Sequence, residues 1–221
     1  MRIAVIGAGR IGGNIARRLA LAGHEVTVTF ARDQGALENL AREIGGRTGT
    51  PAAAVSDADV VVVSVPWQAL PEALEQAGSL RGKTVIDTTN QFGPGPKPGA
   101  GQTAAAFNAA RMPGARYTKS FNTLTAAFQA AAADRPPEHK VVQWLCGDDE
   151  HAKRVVAGLI ADAGYVPVDL GGIDDCEVME APRRAGAVYG EEYRLPDAEQ
   201  VVSAVRAARP IPPTPAYEGG A

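Results

Sequence analysis

Three spaced glycines directly behind the first apolar segment constrain this chain more than any other feature. Residues 3–6 read Ile-Ala-Val-Ile, and Gly7-Ala8-Gly9-Arg10-Ile11-Gly12 follows without a spacer. Ile11, Ile15, Leu19 and Ala22 then recur at helical spacing, with Arg17 and Arg18 on the other side. Between a buried strand and an amphipathic helix, each glycine has its own duty. Gly7 permits the tight turn, Gly9 lets the backbone approach a pyrophosphate, and Gly12 lets helix and strand pack closely. N–H groups at the helix start face the anion. The spacing predicts a dinucleotide site on Gly7, Ala8, Gly9, Arg10, Ile11 and Gly12; a plain glycine-rich turn is the alternative.

The pattern repeats along the chain. Residues 25–30 alternate Val26, Val28 and Phe30 with Thr27 and Thr29, a strand, and residues 34–44 are a second amphipathic helix ended by Gly45-Gly46. Strands without polar alternation follow at 60–65 and 84–87. Buried strands alternating with helices imply an α/β fold, a doubly wound parallel sheet covered on both faces. Residues 91–101 hold three prolines and four glycines and read as a loop of the long kind that is often functional. Helices are expected at 104–110, 126–133 and 151–163, and strands at 117–121, 140–146 and 165–168. A short helical piece at 176–180 breaks at Pro182, a last helix spans 197–208, and an extended Pro-rich tail closes the chain. The expected division is a nucleotide-binding domain at 1–172, an extension at 173–208 on the acceptor side, and the tail at 209–221.

Composition excludes several classes. With 45% hydrophobic and 21% charged residues the chain can bury a core, and 22 Lys plus Arg against 25 Asp plus Glu offer no footprint for nucleic acid or an anionic membrane. Cys146 and Cys176 stand far apart with only His151 near either, so neither a disulfide framework nor a zinc site is expected. No apolar leader or membrane-length run is present, and a protein of the reducing cytoplasm is expected. Gly78 to Thr84 has the wrong glycine spacing for a phosphate loop, no G-x-S-x-G elbow occurs, and His24, His139 and His151 fall at turns or caps.

The position that separates NAD from NADP lies about 20 residues past the glycines, at the end of the second strand. Thr29-Phe30-Ala31-Arg32 offers no carboxylate there, and Arg32 can pair a 2′-phosphate; otherwise Arg32 is a solvated charge and Asp33 caps the next helix. Ser64, Val65 and Pro66 end the third strand at the ligand edge, where Trp67 either walls the acceptor or packs into the core. Asn90 donates to the cofactor or caps a turn. Lys119 and Asn122 are ligand contacts or a buried polar turn, and Tyr189 or Tyr193 would deliver a proton if the acceptor were an imine or carbonyl.

Gly7 to Gly12, Gly23-His24-Glu25, Val65-Pro66-Trp67, Lys119-Ser120-Phe121-Asn122-Thr123 and Gly147-Asp148-Asp149, in that order, resemble the NADP-dependent coenzyme F420 oxidoreductase family over residues 1–172. The resemblance implies a small, commonly dimeric enzyme that passes hydride between NADPH and a deazaflavin; membrane ferric reductases use similar domains. The family usually ends its second strand in Ser-Arg or Asn-Arg, of which only Arg32 is kept. Past Gly172 it continues with a helix carrying Arg then Glu; here Glu177 replaces the Arg, Glu180 is retained and Pro182 breaks the helix. Expected function is therefore NADP-linked hydride transfer to a deazaflavin, with reduction of a small imine or carbonyl, or nucleotide sensing without turnover, as alternatives.

Overall fold

The computed structural model describes residues 1–217; residues 218–221, the end of the expected tail, lie outside the described residues. In chain order the elements are β1 (Arg2–Ile6), α1 (Arg10–Leu21), β2 (Glu25–Thr29), α2 (Gln34–Glu43), β3 (Arg47–Thr48), α3 (Pro51–Asp57), β4 (Val60–Val63), α4 (Leu70–Ala77), β5 (Thr84–Asp87), α5 (Ala104–Ala109), β6 (Arg116–Ser120), α6 (Ala126–Ala132), β7 (Val142–Cys146), α7 (Glu150–Asp162), β8 (Val166–Gly171) and α8 (Leu195–Arg206). Single 3-10 turns lie at Trp67–Ala69, Pro137–His139 and Asp174–Met179.

Strand order is β3-β2-β1-β4-β5-β6-β7-β8. Side chains alternate across it. Ala4 and Ile6 of β1 join one core with Val61, Val63, Leu70 and Ala105, beneath α3, α4, α5 and α8. Ile3 and Val5 join the other with Ile15, Leu40, Val60 and Leu159, beneath α1, α2 and α7. Two buried faces explain why β4 is four valines with no polar residue. Helix starts are set by side chains: Asp33, Thr50, Thr103, Thr125 and Asp149 each accept an amide hydrogen bond from the first turn of the helix they precede.

Two expectations are corrected, and two further features go beyond the sequence reading. The sheet is not wholly parallel, because β7 runs antiparallel to β6. The seven residues of α6, followed by Pro136-Pro137, do not carry the chain back across the sheet, so β7 returns from the edge at which β6 ends. Cys146 and Cys176, both fully buried, form a disulfide with Cα atoms 5.8 Å apart. Their separation of 30 residues concealed this, since only the passage of β8 and the Asp174–Met179 turn across β7 brings them together. Helices α3 and α4 were not anticipated, although Thr50-Pro51 is a cap followed by a first-turn proline. Finally, the tail is docked as far as Tyr217, whose hydroxyl donates to Asp197 and accepts from the Arg194 amide, with Ile211 against the core. Residues 173–208 share their core with β4 to β8 and do not form a separate layer.

Candidate functional site

Strand order reverses between β1 and β4, and the crevice opened there at the strand ends is the place where doubly wound sheets take ligands. The three glycines sit on it and differ in what surrounds them. Gly7 has φ +96° and donates its N–H to Thr29 O at 2.9 Å; a Cβ there would strike the Ser64 carbonyl and stand 2.8 Å from Val65 Cγ1. A Cβ on Gly12 would strike the Gly7 carbonyl. Around Gly9 nothing lies within 4 Å of the position a Cβ would take, so this glycine faces open space at the exposed start of α1. Like α4 and α8, and unlike the five helices capped by Asp or Thr, α1 has no side-chain cap, so its first amides are open to solvent or to a ligand. Ala8 and Ile11 are half-buried beside this turn, and Arg10 is exposed.

At the end of β2, Thr29 is fully buried and its hydroxyl donates to Gly49 O at 2.7 Å, so its side chain is not offered to a ligand. Phe30 adopts φ +57° and turns back onto the core, exposing the next two residues. Asp33 Oδ1 accepts from the Ala36 amide as the cap of α2. Arg32 and Arg10 are exposed and make no ion pair among the described residues. Past β4, the Ser64 hydroxyl accepts from Thr88 at 3.0 Å, Val65 is 7% exposed and Pro66 is open to solvent.

Of the residues expected at the acceptor, several are consumed by packing. Trp67 is 1% exposed, stacks on Phe107 and donates its Nε1–H to Pro96 O at 2.7 Å, so it fastens the Pro/Gly loop and presents no face to a ligand. Lys119 is fully buried: Nζ donates to Thr89 O at 2.7 Å and lies 3.7 Å from Asp87 Oδ2. The same Asp87 carboxylate accepts from Tyr117 OH at 2.6 Å, Asn108 Nδ2 at 2.8 Å and the Thr89 amide at 2.8 Å. Burial first, and then the neighbouring carboxylate, push the Tyr117 phenol well above its usual value and keep it a donor. This buried network shapes the loop after β5, and deleting one partner of such a pair costs about 3–5 kcal/mol. Tyr193 is 1% exposed and packs edge-on against Trp144, away from the crevice.

Asn90, Asn122 and Tyr189 do come together at the ligand edge. Asn90 Nδ2 donates to Asn122 O at 2.8 Å, and Asn122 Nδ2 donates to Asn90 Oδ1 at 3.1 Å and to Met179 O at 2.7 Å. Tyr189 lies beside Phe92. Sequence reasoning did not single out Phe92, Asn108 or the task of Glu180, whose carboxylate accepts from the first amides of α5, Ala104 at 2.9 Å and Ala105 at 2.7 Å. A cavity of about 380 Å³ opens next to that carboxylate, with Gln91, Lys97, Glu177 and Arg184 on its walls.

Comparison with known proteins places this geometry. Residues 2–91, the stretch from β1 to the loop after β5, match the family described as NADP oxidoreductase, coenzyme F420-dependent. Over that stretch the chain is similar to the NADP oxidoreductases. A solved structure from Arthrobacter sp. FB24, assigned as an F420-dependent NADP reductase, is similar to it at 28% identity with a TM-score of 0.66, over 78% of this chain and 86% of that one. A hypothetical protein of Sinorhizobium meliloti is similar at 28% identity with a TM-score of 0.77, over 88% of this chain and 96% of its own. Metalloreductase STEAP3 of Rattus norvegicus is 26% identical over 185 residues, which is 81% of this chain and 36% of that protein; the chain thus spans about a third of that relative's length. Among the described residues no helix is long and apolar enough to cross a membrane.

Proposed function

We propose that this chain moves hydride between NADPH and a deazaflavin coenzyme. The observation that carries the reading is the glycine cradle: Gly7 and Gly12 have no room for a side chain, whereas Gly9 has room that nothing among the described residues fills. Open space is common at exposed glycines of this chain; what distinguishes Gly9 is its place between the two crowded glycines at the start of α1, on the edge where the strand order reverses, where a pyrophosphate would lie against the backbone. The residues present fit the nucleotide. Gly7, Ala8, Gly9, Arg10, Ile11 and Gly12 would hold its diphosphate against the open amides of α1, and the unpaired guanidinium of Arg32 would hold a 2′-phosphate. Ser64, Val65 and Pro66 would flank it from β4, and Asn90 from β5.

Bound there, NADPH would supply the hydride, and the one proton that completes the reduction would come from water. The protein's own part is to orient. The Asp87, Lys119 and Tyr117 network fixes the loop after β5, and the paired amides of Asn90 and Asn122 fix the floor between β5 and β6. Lys119 and Tyr193 are closed off from solvent and could not deliver a proton to an acceptor; Tyr189 could, which keeps imine or carbonyl reduction as the second reading. The chain is read as working as a homodimer.

The test is oxidation of NADPH, followed at its nicotinamide absorbance, with coenzyme F420, flavins and small imines or carbonyls offered separately, and light scattering for the assembly. Turnover with F420 is expected. Turnover with imines or carbonyls alone would favour the second reading, and NADP binding without turnover on any acceptor would make the chain a nucleotide sensor.

A further inference from the structure

Away from the crevice, the C-terminal tail roofs a second cavity. Residues 210–215 read Pro-Ile-Pro-Pro-Thr-Pro, and Ile211 packs on the core while Tyr217 is bonded to Asp197 and to the Arg194 amide. Between this roof and the two consecutive arginines past Pro182 lies a space of about 400 Å³, with Arg183, Arg184, Glu191 and Tyr193 on its walls. Small-molecule sites commonly enclose about 300–1,000 Å³. The charges on the walls are unequal. Arg183 is paired with Glu191, the one carboxylate there. Arg184 donates to the carbonyl oxygens of Glu180, at 3.1 Å, and of Glu177, whose own carboxylate, 3.5 Å from the guanidinium, stands on the wall of the cavity beside Glu180 instead. A guanidinium has five N–H donors, and these contacts leave donors over.

One wall group has no use inside the protein. Tyr193 is 1% exposed, its ring is fixed edge-on against Trp144 and its carbonyl accepts from Val142 N at 2.9 Å, yet its hydroxyl has no hydrogen-bond partner among the described residues. Thr214 of the roof stands beside it without closing a bond. Burial raises the phenol above its usual value, so the hydroxyl is a donor. Buried polar groups of native proteins are nearly always paired, and an orphaned one on a cavity wall asks for a partner from outside the chain. The remaining lining is apolar: Pro212 and Pro213 bring no N–H to the roof, and Ala187 and Ile211 add only carbon. We propose that this cavity binds a small organic acid, whose carboxylate accepts from the Tyr193 hydroxyl and the Arg184 guanidinium while its apolar body lies under Ile211 and Pro212. The site shares no residue with the nucleotide crevice and is independent of which hydride acceptor the chain uses. Inorganic phosphate has the charge without the apolar body, and a neutral amide has the body without the charge, so both are poorer ligands. A buried water at Tyr193 would satisfy the hydroxyl and leave no site for an acid at all.

Benzoate is the probe, titrated into the full-length protein in phosphate-free buffer by ligand-observed NMR, with benzamide and inorganic phosphate titrated separately. Wild type is expected to bind benzoate saturably, and benzamide and phosphate about tenfold or more weakly, since a hydrogen bond to a charged group is lost with the first and the apolar contacts with the second. Tyr193→Phe and Arg184→Gln are each expected to weaken benzoate by about tenfold or more. Thermal melting without ligand separates a binding role from a structural one: Tyr193→Phe removes only an unpartnered hydroxyl and should melt at or above wild type, whereas a hydroxyl with a partner inside the protein would be missed. Benzoate affinity should be the same with and without saturating NADP⁺. Wild type without saturable benzoate binding overturns the proposal, as does benzamide or phosphate binding as tightly as benzoate. So does a folded Tyr193→Phe protein with unaltered benzoate affinity, and so does displacement of benzoate by NADP⁺, which would put the acid in the crevice.

Discussion

Replacing Gly9 and Gly12 separately tests the glycine cradle, because their surroundings give the two positions opposite liabilities. A side chain at Gly9 meets no atom within 4 Å, and the backbone there, φ −72° and ψ −162°, is one that any residue adopts. Gly9→Val should cost folding only a poorer helix cap, about 0.5–1 kcal/mol, or about 1–4 °C of melting temperature for a chain of this size. At Gly12 a Cβ would overlap the Gly7 carbonyl and stand 3.1 Å from Ser64 Cβ, both on rigid backbone elements. Gly12→Ala must push α1 away from β1, an overpacking cost of about 1–3 kcal/mol or more, about 2–12 °C. Ligand response should run the other way. At about a hundredfold over its Kd, a nucleotide that binds only the folded state adds about 2.7 kcal/mol, or about 5–11 °C. The assay is thermal melting with and without NADP⁺. Gly9→Val is expected to melt near wild type alone and to gain nothing from NADP⁺. The reasoning is refuted by a Gly9→Val protein that keeps the full nucleotide gain, or by a Gly12→Ala protein that melts like wild type.

Arg32→Ala should weaken NADP⁺ by roughly ten- to a hundredfold while sparing NAD⁺, from the loss of charge-assisted contacts worth about 1.5–3 kcal/mol, and equal losses for both nucleotides in calorimetry would remove Arg32 from the 2′-phosphate. Reducing the Cys146–Cys176 bond releases a crosslink across 30 residues, which on chain entropy costs about 3–4 kcal/mol; a melting temperature indifferent to a strong reductant would contradict a bonded pair. Hydrogen bonds from the Arg2 side chain and amide hold the Asp59 carboxyl below its usual range. Because the folded value is depressed, the stability from this pair is present above the ordinary carboxylate value and is lost as pH falls through the lowered one. A carboxyl-carbon NMR titration should find Asp59 returning toward its ordinary value in Arg2→Ala, and an unchanged midpoint would sink the assignment.

The strand, glycine turn and helix at residues 2–21 were legible because their determinants are local. Gly7, Gly9 and Gly12 lie within one turn and its helix, and the apolar alternation around them depends on neighbours a few residues away. The acceptor half was not legible, because its residues owe their positions to distant backbone. Nothing near Trp67 in the chain announces that Pro96 O takes its Nε1–H, or that Lys119 spends its charge on Thr89 and Asp87 beneath the surface. A lysine at a strand end reads equally well as a ligand contact or as an internal strut, and only its complete burial decides. Tyr189 and Tyr193, four positions apart, could not be ranked from the sequence; one reaches the crevice beside Phe92 and the other is sealed against Trp144.

The hold of Glu180 on α5 bears on the order in which the molecule is finished as it leaves the ribosome. Six residues are too few to stand as a helix unaided, and the carboxylate that receives the first amides of α5 lies 76 positions later in the chain than Ala104. Gly7, Thr29 and Ser64, by contrast, have all emerged once residue 64 is out. Translation thus delivers every backbone partner of the Gly7 turn long before the neighbouring lobe has its last fastening. A ribosome paused between residues 91 and 180 would hold back Glu180, and with it the fastening of α5, after all the partners of the Gly7 turn had been made.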